Sequence, residues 1–155
     1  MHNMRGFVAA LAAGMVLSFG VSAAGTGEAS GSSANQSSLA EAQAAIDSGN
    51  YKSALDILEP LMDLESGNAD LFNLFGYAQR KLGNVAAAFK SYRRALSLNP
   101  QHRGANEYIG ELYLETDQLG RAQEHLQILD GVCLFPCEEY DELKRAIEAY
   151  RAKRS

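Results

Sequence analysis

Cys133 and Cys137 are the residues of this chain open to the widest range of chemistry. Spaced Cys-x3-Cys, they could close a disulfide, cycle as a redox pair or contribute to a metal site. The spacing is not the Cys-x-x-Cys of thiol oxidoreductases, and no thioredoxin-like strand pattern surrounds it. Copper or zinc would need further ligands, and His102 and His125 fall in separate parts of the chain with no local spacing signal. In an exported chain two cysteines this close most simply pair. So short a loop places the stabilisation at the low end of the usual ~2–4 kcal/mol. The disulfide is the favoured reading, with redox or metal handling as the alternative. No other constellation points to catalysis. There is no phosphate-cradling glycine loop, nucleophile elbow or His-Glu-x-x-His. Glu138-Glu139 and Asp141-Glu142 suit the first turn of a final helix on dipole grounds. The sequence therefore offers no catalytic residue, no cofactor site and no metal set, and a non-enzyme is expected.

The elements that position these residues are written in a 34-residue period. Gly49 recurs as Gly83, Gly76 as Gly110, and Ala54 as Ala88 and Ala122; Leu58 becomes Tyr92 and then Leu126. Such a period marks stacked helical hairpins, each burying its apolar face against the next. Leu39, Ala42, Ala45 and Ile46 share one helical face. After Gly49-Asn50 the spacing resumes through Tyr51, Ala54, Leu55, Leu58 and Leu61, with Pro60 expected to kink the helix. Leu71, Phe72, Phe75, Ala78 and Leu82 form the next stripe, and Ala88, Phe89, Tyr92, Ala95 and Leu96 the one after, closed by Asn99-Pro100. The third unit runs through Ile109, Leu112, Tyr113 and Leu114, then Leu119, Ala122, Leu126 and Leu129. A last helix carries Tyr140, Leu143, Ile147 and Tyr150, and covers the final apolar face. The recurring Ala and Gly residues are expected where helices press together.

Residues 1–24 show the charged, apolar and small-residue order of a signal peptide: Arg5, then Phe7–Val21, then Ser22-Ala23-Ala24. About 15 apolar residues fall short of the ~20 that span a bilayer, so cleavage is favoured over a retained anchor. The sequence thus predicts a periplasmic or secreted protein. Residues 25–38, GTGEASGSSANQSS, read as a flexible Gly/Ser linker, and 39–155 as the folded domain. After residue 24 the chain carries 13 basic and 19 acidic residues, a net of −6, which disfavours bulk nucleic acid. Charge is sorted along the chain. Residues 68–104 net +5 and residues 105–142 net −9, a pattern that suits an oppositely charged partner or self-association.

Residues 69–102 resemble a tetratricopeptide repeat: Phe72, Phe75, Gly76, Leu82-Gly83-Asn84, Ala88, Tyr92, Ala95 and Asn99-Pro100. Residues 103–136 match at Ile109, Gly110, Tyr113, Ala122, Leu126 and Leu129. They depart at a turn without Gly and at Leu134 in place of the closing Pro. Residues 35–68 match mainly in their second helix. Cys137-Glu138-Glu139-Tyr140 is similar to the final helix of some exported bacterial repeat proteins. The resemblance implies an all-α, right-handed solenoid of three hairpins with a capping helix over 137–152. It also implies a groove lined by the first helix of each hairpin, binding a peptide or helix of an envelope protein. Mapped onto this chain, the solvent-facing groove positions are Gln43 and Asp47, then Asp70, Asn73, Tyr77, Arg80 and Lys81, then Glu107, Glu111, Leu114 and Glu115. Tyr77 and Leu114 would be apolar anchors among charges. The family's carboxylate clamp would fall at Leu39, Gln43, Leu74, Gly104 and Tyr108, and only Gln43 could partly serve. No C-terminal carboxylate clamp is therefore expected.

Overall fold

The computed structural model describes residues 28–134 and 137–154. The expected signal segment and the first residues of the expected linker lie outside them. Among the described residues the chain forms eight helices and no strand: α1 Glu28–Asp47, α2 Tyr51–Leu58, α3 Leu61–Leu64, α4 Ala69–Lys81, α5 Val85–Leu98, α6 Arg103–Glu115, α7 Leu119–Val132 and α8 Glu138–Ala152. Hairpins α1/α2–α3, α4/α5 and α6/α7 stack in sequence order, and α8 packs on both α6 and α7. No described helix is long and apolar enough to cross a membrane.

The three hairpin turns share one backbone solution at the 34-residue period. The amides of Asn50, Asn84 and Gln118 reach back to the carbonyls of Ala45, Gln79 and Tyr113 at 2.8, 2.9 and 2.8 Å. This is the helix-ending pattern that places the intervening residue in left-handed conformation. Gly49 (φ +74°) and Gly83 (φ +81°) meet that demand without a Cβ. The third turn lacks glycine, and Asp117 takes the same conformation at φ +60°, tolerable for Asp. Its carboxylate accepts from Tyr150 Oη (3.3 Å) and Arg154 Nη2, so the end of α8 holds that turn. The helix starts repeat as well. Asn68 Oδ1 accepts from the Leu71 amide, and 34 residues on His102 Nδ1 accepts from the Ala105 amide.

Ala54, Ala88 and Ala122 are fully buried, as are Leu58, Tyr92 and Leu129. Gly76 and Gly110 are both close-approach positions but serve different neighbours. A Cβ on Gly76 would lie 2.8 Å from two ring carbons of Tyr92 in the same hairpin; on Gly110 it would lie 2.6 Å from Leu143 Cδ2 of α8.

Three expectations are corrected. Residues 28–38, read as a flexible linker, are helical and continuous with α1. Extending a helix already fixed by Ala42 and Ile46 costs far less than nucleating one, and Ala, Ser and Gln do not stop it. Ser38 Oγ donates to the Ala34 carbonyl along this stretch. Leu82 is 44% exposed rather than part of the apolar stripe. It caps α4, where the chain leaves the helical path. At Pro60 the helix is interrupted outright, leaving α2 and α3 as separate pieces, because proline lacks the amide that would continue the ladder.

Gly76→Ala is expected to destabilise the fold by ~1–3 kcal/mol, since the buried Tyr92 ring cannot retreat. Gly67→Ala, with open space around it, should leave stability unchanged or slightly raised. Urea denaturation of both variants beside the parent checks this.

Candidate functional site

The facing side chains of α4 and α6 meet one helical turn short of the repeat. Asn73 lies against Gly104, Tyr77 against Tyr108, and Arg80 against Glu111 and Glu115. Arg80 is the centre of this seam. Its Nη1 donates to Glu111 Oε2 at 2.5 Å, and its Nη2 and Nε donate to Glu115 Oε1 at 2.5 and 2.9 Å. The Arg80 side chain is only 9% exposed. Burial opposes its charge, but hydrogen bonds and Coulomb attraction from Glu115 and Glu111 outweigh that and raise its pKa. Arg80 therefore joins the basic second unit to the acidic third one, and its charge is largely satisfied within the chain.

Beside this ion cluster runs a row of tyrosines. Tyr77 meets Tyr51 edge-on at 6.4 Å between ring centroids and Tyr108 at 4.8 Å; Tyr108 lies 6.3 Å from the buried Tyr92. Lys81 Nζ stands 5.0 Å from the Tyr77 centroid. Tyr77 and Tyr108 remain partly exposed. Burial first, then the neighbouring Glu107 carboxyl once it ionises, raise the pKa of the Tyr108 hydroxyl. Rigid aromatic rings with a cation beside them can stack on apolar or aromatic side chains and hydrogen-bond a peptide. An open cleft of about 330 Å³ lies at the α8 end of the same face, bounded by Arg80, Glu111, Glu115, Ala146, Tyr150 and Lys153 with Leu114 beneath.

The groove residues named from the sequence divide accordingly. Tyr77, Arg80, Lys81 and Glu111 come together along α4 and α6. Gln43 is exposed on α1, where it donates to Asp47 on its own helix. Besides Arg80, whose side chain is nearly buried, three residues expected to face solvent do not. Leu114 is 8%, Asn73 8% and Glu107 3% exposed. For Leu114 and Glu107 the cause is α8, which covers the α6 flank that an open groove would present. Asn73 is buried in the α4–α6 seam. Leu114 is thus the floor of a cleft rather than an outward anchor. Tyr108, passed over as a defective clamp position, is instead the ring that completes the aromatic row. The 34-residue period carries no signal for it, because Tyr108 lies 31 residues from Tyr77 and their pairing depends on how α4 and α6 are set against each other.

Glu107 sits in an acidic corner between α6 and α8. Burial, a hydrogen bond with Glu142, and repulsion from Glu111, Glu142 and Glu139 push its pKa up to about 9. Glu139 itself pairs with Arg103 at 3.5 Å. The two histidines among the described residues have structural partners. His102 caps α6 through Nδ1 and meets Asp70 Oδ1 through Nε2 at 2.9 Å. His125 Nδ1 lies 2.8 Å from Asn106 Oδ1, with its ring stacked on Tyr113. Among the described residues no group of three or more His, Cys, Asp or Glu is arranged to hold a metal. Cys133 and Cys137 stand at disulfide-bonding distance, with Cα atoms 5.8 Å apart, between α7 and α8.

A profile described as tetratricopeptide repeat matches residues 39–103 and again 73–130. No curated protein matches the chain. Solved structures share the fold. The type III secretion translocator chaperone SycD of Yersinia enterocolitica aligns with a TM-score of 0.70 at 19% identity, over 79% of this chain and 87% of that one. The same chaperone in complex with a peptide of the translocator YopD aligns at 0.65 and 18%, over 77% and 94%. PcrH in complex with the chaperone binding region of PopD aligns at 0.67 and 18%, over 80% and 96%.

The folded protein keeps the Glu107 proton where the unfolded chain, with its ordinary carboxyl near 4.5, has released it. Stability should therefore fall as pH rises from about 4.5 to about 9. Glu107→Gln keeps the shape and removes the titration. It should flatten that decline and raise stability near the top of the window by roughly 1–3 kcal/mol. Thermal melts across pH check this.

Proposed function

The chain belongs to the tetratricopeptide repeat family, and on that premise we propose that it is a non-catalytic adaptor holding a peptide or helix of a partner protein on its α4–α6–α8 face. The observation that carries this is the partly exposed Tyr77–Tyr108 pair, flanked by Lys81, on the face that also holds the cleft lined by Leu114. Helices and extended segments laid in a groove are familiar recognition modes, and buried aromatic anchors supply most of the affinity. The charged rim of Lys81, Glu111 and Glu115 would set orientation. Gln43 would extend the surface at the α1 end. Two proteins that share the fold support this reading: SycD is solved with a peptide of the translocator YopD, and PcrH with the chaperone binding region of PopD.

We further propose that the adaptor works outside the cytosol, in the periplasm or beyond, on an envelope partner. The order of residues 1–24 supports export. So does the cysteine pair, which an oxidising compartment would keep closed. In this reading Cys133–Cys137 ties the end of α7 to the start of the capping helix α8, and is not a redox or metal centre.

Tagged protein should capture its partner from the native envelope. Tyr77→Ala with Lys81→Ala should weaken that capture by about 2 kcal/mol, roughly 30-fold, with helicity unchanged. Unaltered capture would remove the groove assignment. Arg80 is unsuited to this test, because its loss strands Glu111 and Glu115. For the cysteines, thiol counting on protein taken from the periplasm should find none free and resistance to mild reductant. Cys133→Ser should lower stability by about 2 kcal/mol. A readily cycled pair or bound copper would favour redox or metal handling instead.

A further inference from the structure

On the opposite side of α4 from the tyrosine row, a cleft of about 460 Å³ opens between α3 and α5. Met62, Phe72 and Phe75 supply its apolar lining, and Lys90 and Arg94 stand at its edge. The equivalent junction one repeat later is filled. His125 occupies the place of Ser91, bonded to Asn106 and stacked on Tyr113, and Arg121 occupies the place of Ala87. Ala87 and Ser91, small where the next repeat has Arg121 and His125, thus leave the α3–α5 cleft open. The charge there is also reversed, with Lys90 where the next repeat has Glu124.

The two walls of the cleft carry opposite charge. The exposed charges on α2–α3 and between them are Asp56, Glu59 and Asp63 against the single base Lys52; on α5 they are Lys90, Arg93 and Arg94, of which Lys90 and Arg94 line the cleft. Among the described residues no ion pair joins these two sets within the chain. Arg94 donates to the Ser66 carbonyl at 2.7 Å and lies over Phe72, and Arg93 lies over Phe89. Leu64 projects beside the acidic wall and is 72% exposed. One face therefore presents an apolar knob flanked by acids next to an apolar hole rimmed by bases. That arrangement is self-complementary, which is what a two-fold interface requires: each copy offers to its partner what the partner offers in return.

We propose that this face joins two copies of the chain in a two-fold homodimer, Leu64 of each entering the α3–α5 cleft of the other. The acidic α2–α3 wall of one copy then meets the basic α5 wall of its partner, twice per dimer. The tyrosine row lies on the other side of α4 and stays free, so each dimer would present two grooves. A bivalent adaptor gains avidity for partners that are themselves repeated.

The test is sedimentation equilibrium of the full chain across a concentration series, with circular dichroism to verify folding. The parent should dimerise, more weakly as salt rises. Leu64→Glu should raise the dissociation constant roughly tenfold or more. Two charge-reversed proteins, Glu59→Lys/Asp63→Lys and Lys90→Glu/Arg93→Glu, should each lose self-association by a similar factor. Mixed together they should pair again, because each then offers the other the complementary wall. That restoration would not follow from misfolding. A parent that is monomeric throughout, variants that dimerise like the parent, or a mixture that fails to pair would each overturn the proposal. So would a monomer whose cleft takes an acidic peptide of another protein.

Discussion

At Gly76 and Gly110 the stack leaves no room for a side chain. The Tyr92 ring closes on one and Leu143 on the other. Both contacts are between fully buried groups, so the separation of α4 from α5 and of α6 from α8 is set by hard packing and not by the longer side chains at the rims. With α5 packed in turn on α6, the seam between α4 and α6 has a defined width. Arg80 can then reach Glu111 and Glu115 together, and Tyr77 and Tyr108 lie ring against ring. The polar and aromatic features of the groove face are consequences of an apolar constraint beneath them.

The terminal helix does more than cover an end. By lying on α6 it turns Leu114 into the floor of a cleft and takes Glu107 out of water among three other carboxylates. A carboxyl group in such a place stays protonated, and as a neutral donor it can hydrogen-bond Glu142 rather than repel it. The far end of α8 reaches Asp117 in the third turn, and its near end is joined to α7 through the cysteines. A helix anchored at both ends can act as a fixed wall of the groove, as a binding surface needs.

The two sides of α4 are unlike. Toward α6 the surface is aromatic and its strongest charge is already paired within the chain, which suits an anchor for an apolar segment. Toward α3 and α5, among the described residues, no ion pair joins the acidic and basic sets that flank an apolar opening. Sorting of charge by repeat, evident along the whole chain, thus resolves into two cases: between α4 and α6 it is neutralised internally, and between α2–α3 and α5 it is left facing outward.

The linear order of residues already determined the hairpins, their turns and their small-residue contacts, because period, cap and turn chemistry are local. Gly49 and Gly83 mark turns by their own backbone freedom, and Ala54, Ala88 and Ala122 mark buried positions by their size. Local order even suffices to suggest that Cys133 and Cys137 should meet. It could not decide which outward-pointing residues stay outward. Glu107 and Leu114 stand where the preceding unit has Asn73 and Arg80; the docking of α8 buries the first two, and the α4–α6 seam takes in the others. Nor could a period of 34 reveal that partners across α4 and α6 lie 31 residues apart, since that offset comes from how neighbouring helices slide when their ridges interlock. The helical reach of residues 28–38 was hidden for a related reason: their composition is permissive, and the packed helix that follows makes continuation inexpensive. Repetition specified the units, while the register between units, set by contacts distant in sequence, decided the surface.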